Sequence, residues 1–257
     1  MKNRLFLATF LTAFFSLSLF ANNTQEMANR LIMAYPDFLE KYEDNFIYFK
    51  DGSKLRFSSN KNFSNYEDRL NSASLEDQMS MPYIKIDQNE NFIPSENDDA
   101  GRFRHEEFFK KIYGKSQKEV EKNLVKIKWL PKTENKTLLV TKINGIDKKL
   151  EAISSELDNF PSKYKKYITN VAGTYKYRKI SKTQRLSSHS FAIAVDLNTK
   201  YSNYWLWEAK SDKIANYKNQ IPKEIIKIFE KYGFIWGGRW YHYDTMHFEY
   251  RPELLVD

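Results

Sequence analysis

Apolar residues recur along the chain at two spacings, one typical of helices and the other of strands. Helical spacing predicts helices over residues 23–33, 103–113, 147–157 and 221–232. Short apolar or alternating runs between turn residues predict a hairpin over 46–57 and strands over 137–141, 174–180, 193–197 and 244–250. This mixture predicts an α+β protein, with a small antiparallel sheet and flanking helices in its C-terminal part.

Polar connections divide the chain unevenly. The segments 58–80 and 88–101 are rich in polar residues and predict loops, the first with a short helix, whereas the C-terminal part is more regular. We place a boundary near Asn135, with an α/β accessory region over 22–135 and a core over 136–257 that carries the chemistry. The accessory region contains no motif on which a function could be based.

The first 21 residues have the pattern of a signal peptide. Lys2 and Arg4 precede an apolar run over 5–20, and Ala21 supplies a small residue for cleavage. The alternative is an uncleaved membrane anchor, but the run is short for a span of about 20 apolar residues. We therefore expect an exported protein, periplasmic or associated with the cell wall, with no stable membrane anchor after cleavage.

Composition restricts the possible metal sites and partners. The chain has no cysteine, so it forms no disulfides, carries no lipidated cysteine, and must build any metal site from His, Asp or Glu. Its 41 basic and 33 acidic residues give a formal charge of +8, which suits an anionic polymer such as a cell wall. Basic and acidic residues are interleaved and the protein is predicted to be exported, so we expect no nucleic-acid partner.

Two of the four histidines lie close in sequence to carboxylates in apolar surroundings. His189 precedes Asp196, and His247 follows Asp244. A catalytic zinc site often uses two imidazoles and one carboxylate and keeps one position open for water. His189, Asp196 and His247 supply that set, and Asp244 remains to move protons. His189 and Asp196 are seven residues apart and would face opposite sides of a regular strand, so the chain must bend between them, for which Ala192 is the candidate.

Spacing alone leaves a second interpretation open. A histidine in an apolar strand is often a core residue whose hydrogen bonds are satisfied. Asp196 lies between Val195 and Leu197, where a buried carboxylate needs a partner or a metal.

Two motifs resemble those of the M15 zinc peptidases. Ser187-x-His189 followed by Ala194-x-Asp196 is similar to the signature S-x-H-x-x-G-x-A-x-D of that family. The segments 236–238 and 244–249, which read W-G-G and D-T-M-H-F-E, resemble the W-G-G…D-x-M-H-F-E end of its endopeptidase branch. The motifs occur in the family's order, and the resemblance covers about residues 137–254.

The resemblance implies the roles of several residues. His189, Asp196 and His247 would bind Zn2+, and Asp244 would be the general base that activates the zinc-bound water. Arg178 would support the substrate carbonyl or its oxyanion; a surface arginine is the alternative. The implied substrate is a stem peptide of peptidoglycan.

The chain departs from the family at one position, where Ala192 replaces a glycine. Glycine adopts backbone torsions that alanine tolerates poorly, so the bend is expected to be built differently or the site weakened. A peptidase remains the favoured function. The alternative is a weak or inactive module that binds peptidoglycan. Within the peptidases, the sequence does not distinguish a carboxypeptidase that removes terminal D-alanine from an endopeptidase of the L-Ala-D-Glu type.

Further residues are candidates for the substrate groove. We select Ser187, Trp205 and Trp240 for substrate binding, although aromatic residues at this density are more often part of a core. His242 either donates a hydrogen bond in the cleft or belongs to a loop. Glu249 shares a strand face with His247, which makes it a candidate partner of that ligand.

Overall fold

The computed structural model describes residues 23–181, 183–209 and 217–256. The predicted signal peptide therefore lies outside the described residues. Within the described ranges, helices are combined with small antiparallel sheets, which confirms the α+β class. None of the helices in these ranges is both long and apolar enough to cross a membrane.

Most helices are short. They are α1 (23–34), α2 (Tyr66–Ser72), α3 (Leu75–Met79), α4 (Glu106–Tyr113), α5 (Gln117–Glu121), α6 (Ile146–Asp158), α7 (Ser162–Ile168), α8 (Trp205–Glu208) and α9 (Lys223–Lys231). Turns of 3-10 helix cover Ile143–Gly145, Ser188–Phe191, Thr199–Tyr201, Gly237–Arg239 and Pro252–Leu254. The four predicted helices correspond to α1, α4, α6 and α9, with ends shifted by up to three residues.

The strands form three separate sheets. They are β1 (Leu39–Glu43), β2 (Phe46–Phe49), β3 (Lys54–Arg56), β4 (Leu124–Trp129), β5 (Lys136–Thr141), β6 (Ala194–Asp196), β7 (Phe234–Trp236) and β8 (His247–Tyr250). The sheet orders are β1-β2-β3, β4-β5 and β6-β8-β7, and all pairs are antiparallel. The predicted hairpin is confirmed as β2 and β3.

The strand predicted over 174–180 is wrong. This segment makes only isolated bridges at its edges, between Gly173 and Asp196 and between Lys179 and Leu186. Its backbone instead bonds to the turn that carries His189, because Lys176 N donates to the carbonyl oxygen of His189 at 3.2 Å. The segment therefore supports the candidate site without joining a sheet.

Packing of amphipathic elements against the sheets builds the core. In α9, Ile225 and Phe229 are fully buried, and the Phe229 ring stacks on Phe248 of β8 with centroids 4.0 Å apart. In α6, the predicted stripe Leu150, Ile153 and Leu157 is also fully buried. Burial of each such side chain stabilises the fold by about 1.5–3 kcal/mol.

Apolar packing continues across residue 135. One buried cluster contains side chains from elements throughout the chain, from α1 to β8. The strand β4, before residue 135, pairs with β5, which follows it. The division into an accessory region and a core stays a prediction. In space, the two parts share a core.

Candidate metal centre and its cleft

The pairing of β6 with β8 brings two of the candidate ligands together. Asp196 and His247 are direct partners in the antiparallel register, so their side chains lie on the same face of the sheet. His247 Nδ1 lies 2.9 Å from Asp196 Oδ1. The neighbouring pairs Val195–Phe248 and Ala194–Glu249 fix this register.

His189 reaches the same point through a bend. It lies in the 3-10 turn Ser188–Phe191, which Ala192 ends in the left-handed conformation with φ 56° and ψ 35°. Ala192 N donates to the carbonyl oxygen of His189 at 3.1 Å. The bend lies at the predicted position, and it directs His189 Nε2 to within 3.1 Å of Asp196 Oδ2.

Hydrogen bonds orient both imidazoles. His189 Nδ1 donates to the carbonyl oxygen of Thr174 at 2.9 Å, which leaves Nε2 facing Asp196. His247 Nε2 donates to Glu249 Oε2 at 3.0 Å, which leaves Nδ1 facing Asp196. Glu249 thus lies where the sequence suggested, as the partner of a candidate ligand.

The ligand atoms of His189, Asp196 and His247 all lie within 4.8 Å of one another, so these residues could hold a metal ion. The charges of Asp196 and His247 depend strongly on those of their neighbours. Burial opposes ionisation of Asp196, but the two imidazoles outweigh it and hold the pKa of Asp196 well below its usual value. Burial also opposes protonation of His247, yet Asp196 and Glu249 raise the pKa of His247 to about 10. The site therefore attracts positive charge.

Asp244 precedes β8 in a turn, and His247 N donates to its carbonyl oxygen at 3.2 Å. Gly237 makes this turn possible, because a Cβ there would collide with the carbonyl oxygen of Asp244. The Oδ1 atom of Asp244 is buried and has no hydrogen-bond partner within the described part of the chain. Burial raises the pKa of Asp244 to about 6. A buried carboxylate with a free oxygen is chemically suited to accept a proton.

Arg178 and Ser187 lie beside the turn that carries His189. The backbone of Arg178 is fixed, since its N donates to Ser190 Oγ at 2.9 Å and its carbonyl oxygen accepts from Ser187 N at 3.0 Å. Its side chain is exposed and lines the cleft. Ser187 Oγ accepts from His189 N at 3.4 Å and so caps that turn.

The two candidate tryptophans have different surroundings. Trp240 is 5% exposed, and the centroids of its ring and the His247 ring lie 5.6 Å apart. Its indole N–H donates to the carbonyl oxygen of Ala100 at 2.6 Å. Trp205 lies edge-on to His242, with ring centroids 4.7 Å apart. Its indole N–H is buried and interacts with the side chain of Tyr204, which also lines the cleft. Trp205 therefore forms part of the cleft wall, whereas Trp240 mainly supports His247.

A cleft of about 610 Å3 joins all the residues selected from the sequence. They are Arg178, Ser187, His189, Asp196, Trp205, Trp240, Asp244 and His247. The accessory region contributes residues that the sequence analysis missed, namely Tyr66, Glu67, Leu70, Asn71, Arg102 and Arg104. Their only sequence signal is two arginines in R-F-R-H after Gly101, which cannot be distinguished from ordinary surface charge.

His242 belongs to the cleft and is held from the accessory region. Its Nδ1 lies 2.6 Å from Asp99 Oδ2, and its backbone N donates to Asp99 Oδ1 at 2.9 Å. Tyr66 donates to the same carboxylate and stacks on the His242 ring. Of the two possibilities for His242, the structure supports a position in the cleft.

A buried ionic network extends from Glu249 into the accessory region. Arg251 bonds to Glu249 Oε1 at 2.9 Å and to Glu253 Oε1 at 2.6 Å, and all three side chains are fully buried. Tyr35, directly after α1, donates to Glu253 Oε2 at 2.9 Å, and Arg104 lies 3.4 Å from Glu249 Oε2. Burial would raise the pKa of Glu249, but Arg104, His247 and Arg251 lower it. Residues from both parts of the chain thus hold the partner of His247.

Comparison with known families agrees with this geometry. Residues 181–250 match the family model described as D-alanyl-D-alanine carboxypeptidase, which belongs to the M15 peptidases. The match confirms the resemblance and supports a peptidase that acts on peptidoglycan. It includes the three candidate ligands and Asp244, but neither Arg178 nor the accessory region. Searches of curated proteins and of solved structures gave no match.

Proposed function

We propose that the protein is an exported zinc peptidase that hydrolyses an amide bond in peptidoglycan stem peptides. The observation that carries the proposal is the convergence of His189, Asp196 and His247 beside the unpartnered carboxylate oxygen of Asp244. The family match over residues 181–250 supports peptidoglycan as the substrate class.

The donor set suits zinc. Two imidazoles and one carboxylate are a common catalytic set, and without cysteine the chain offers no thiolate alternative. His189 Nε2 and His247 Nδ1 lie 3.1 Å and 2.9 Å from the two oxygens of Asp196, so the three side chains that would hold the metal converge. Glu249 and the Thr174 carbonyl hold the opposite ring nitrogens, as is usual for metal-binding histidines.

Asp244 and Arg178 would carry out the remaining chemistry. Bound zinc would polarise the scissile carbonyl and lower the pKa of a water molecule to about 7. Asp244 would accept a proton from the attacking water while the oxygen atom of that water forms a bond with the carbonyl carbon. When the C–N bond breaks, Asp244 returns the proton to the leaving nitrogen. Arg178 offsets the negative charge that develops on the carbonyl oxygen.

Groove residues would position the peptide. Trp205 lies beside His242, and Ser187 and Trp240 form walls of the cleft beside His189 and His247. We assign these three residues to substrate binding.

Metal content and peptide turnover, measured together, test the proposal. Purified protein should contain about one zinc per chain and cleave muropeptides in a digest followed by mass spectrometry. The masses of the products distinguish removal of terminal D-alanine from an internal cut. Exhaustive chelation should abolish cleavage, and added zinc should restore it. Full activity after chelation would contradict the metal assignment.

Asp244→Asn separates the base from the ligands. The variant should keep its zinc but lose about 10²–10⁴ in kcat, because an amide cannot accept the proton. Asp196→Asn is the matched control, since it should lose zinc and lower the melting temperature. A metal-free Asp244→Asn, or one with the wild-type rate, would make the assignment of roles wrong. If the zinc-loaded protein binds muropeptides without cleaving them, the alternative of an inactive binding module is correct.

Export is part of the proposal and rests on residues 1–21, which have the pattern of a signal peptide. The mature protein should begin near Asn22. N-terminal sequencing that finds Met1 on the mature protein would reject export.

A further inference from the structure

Arg185 is a buried arginine that has no acidic partner within hydrogen-bond distance in the described part of the chain. Its side chain lines the cleft although the residue is only 9% exposed. Nη1 donates to the carbonyl oxygen of Arg102 at 3.2 Å, and Nε is buried with no acceptor in the described ranges. The same residue lines a second cavity of about 760 Å3, which shares Asn71, Arg104 and Thr183 with the cleft. Arg185 therefore lies where the two cavities meet.

Positive charge near Arg185 is not balanced by the neighbouring acids. Arg104 is paired with Glu249, whereas Arg102 bonds to the carbonyl oxygen of His242 at 2.9 Å and has no acidic partner within hydrogen-bond distance among the described residues. Glu106 is already engaged by Lys110 at 2.8 Å and by Leu186 N at 2.8 Å.

Asp99 is also engaged, whereas Asp244 and the exposed Glu67 line the same cleft without a bond to Arg185 or Arg102 among the described residues. Asp99 binds His242 and Tyr66. Burial, together with the charges of Arg104 and Arg102, lowers the pKa of Arg185 to about 10. A buried cation that lacks a partner is costly to maintain, and a bound anion would offset that cost.

We propose that Arg185 and Arg102 form an anion subsite that binds a free carboxylate of the peptide substrate. A carboxylate accepts paired hydrogen bonds from guanidinium groups. Arg102 bonds to the backbone of His242, two residues before Asp244, so the subsite lies beside the proposed general base. The substrate carboxylate is therefore close to the scissile bond. This inference rests on the proposed peptidase function and adds to it a requirement for a charged substrate.

Matched substrates test the subsite in the wild-type protein. A synthetic stem peptide is prepared with all carboxyls free, with the α-carboxyl of its D-glutamyl residue amidated, and with its C-terminal carboxyl amidated. Amidation of the recognised carboxyl should lower kcat/KM about tenfold to a hundredfold, mainly through KM, since a hydrogen bond to a charged group is lost. Equal turnover of all three peptides would overturn the inference.

Arg185→Met should remove this discrimination. Arg185→Met should cleave the free peptide as slowly as it cleaves the amidated peptide. With the amidated peptide, Arg185→Met and the wild-type protein should have the same rate. Arg239→Met is the matched control. Arg239 is also buried with an unpartnered Nε, but it bonds to the carbonyl oxygens of residues 85, 89 and 92 outside the cleft. A preference that survives in Arg185→Met would overturn the assignment.

Stability gives a readout that does not require turnover. Replacing an unpaired buried charge with an apolar side chain should raise the melting temperature of Arg185→Met, whereas Arg239→Met should lower it. If the melting temperature falls equally in Arg185→Met and Arg239→Met, Arg185 is a structural residue and the subsite is rejected. If zinc-loaded wild-type protein cleaves none of the peptides, the proposed function fails. Calorimetric binding of the free and amidated peptides then decides on the subsite separately.

Discussion

The parts of the chain before and after residue 135 contribute to the cleft in different ways. The later part supplies the candidate ligands and Asp244 from two short segments, and the family match lies entirely within it. The earlier part supplies Tyr66, Asp99, Arg102 and Arg104, which hold or surround residues of the later part. The candidate ligands and Asp244 therefore come from two short segments, whereas residues from both parts of the chain surround them.

Arg251→Met gives the largest expected effect on stability and tests whether the two parts depend on each other. Arg251 is fully buried and bonds to two carboxylates and to the carbonyl oxygen of Gly101. Its loss leaves Glu249 and Glu253 buried with fewer partners, which should lower the free energy of unfolding by about 3–5 kcal/mol. Denaturant unfolding measures this.

Lys231→Met is the control for Arg251→Met. Lys231 is exposed and pairs with Glu156 at 2.7 Å, so its loss should leave the free energy of unfolding almost unchanged. If the two variants behave alike, the buried ionic network does not contribute to the stability of the fold, and the two parts of the chain are joined by their apolar core alone.

Arg178→Ala tests whether the later part supplies all the chemistry. If Arg178 offsets charge on the reacting carbonyl, kcat should fall about 10²–10³-fold while zinc content stays unchanged. Arg102→Ala is the comparison from the accessory region, and its main effect should be on KM. If kcat falls in Arg102→Ala instead of Arg178→Ala, the accessory region takes part in the reaction and the division of roles is wrong.

The success of prediction from sequence also differed between the two parts. The motifs at residues 187–196 and 236–249 identified His189, Asp196 and His247, which meet in the cleft, because a candidate metal site restricts both residue type and spacing. The residues that the accessory region contributes to the cleft were not predicted, because their positions depend on tertiary contacts such as the Asp99–His242 pair. Short motifs therefore indicate chemistry better than they indicate the walls of a site.

The fold was predicted best where a pattern was long. The helix α6 kept its predicted stripe, whereas β7, with three residues, was missed because it is too short to show alternation. β1 was missed as well, since its sequence LEKYE has one buried residue. The segment 174–180 has the composition of a strand but lies along the turn of His189, so composition alone gave the wrong element.

The smallest expected effect concerns Ala192, which occupies the family's glycine position. Its left-handed conformation costs an alanine about 1–2 kcal/mol. Ala192→Gly relieves this strain, but it also removes a buried methyl group and gives the unfolded chain more freedom, which together cost a similar amount. The net change in the free energy of unfolding should therefore be less than about 1 kcal/mol, with zinc content unchanged.

Ala194→Gly isolates the strain at Ala192. Both alanines are fully buried, but Ala194 belongs to β6 and has ordinary strand torsions. Its replacement by glycine therefore removes a buried methyl group and frees the unfolded chain, but relieves no backbone strain. Ala194→Gly should consequently be less stable than Ala192→Gly by about 1–2 kcal/mol, the torsional term alone. Equal losses in the two variants would mean that the bend at Ala192 is unstrained. The alanine would then be a neutral replacement at the family position, with no bearing on how His189 reaches the metal centre.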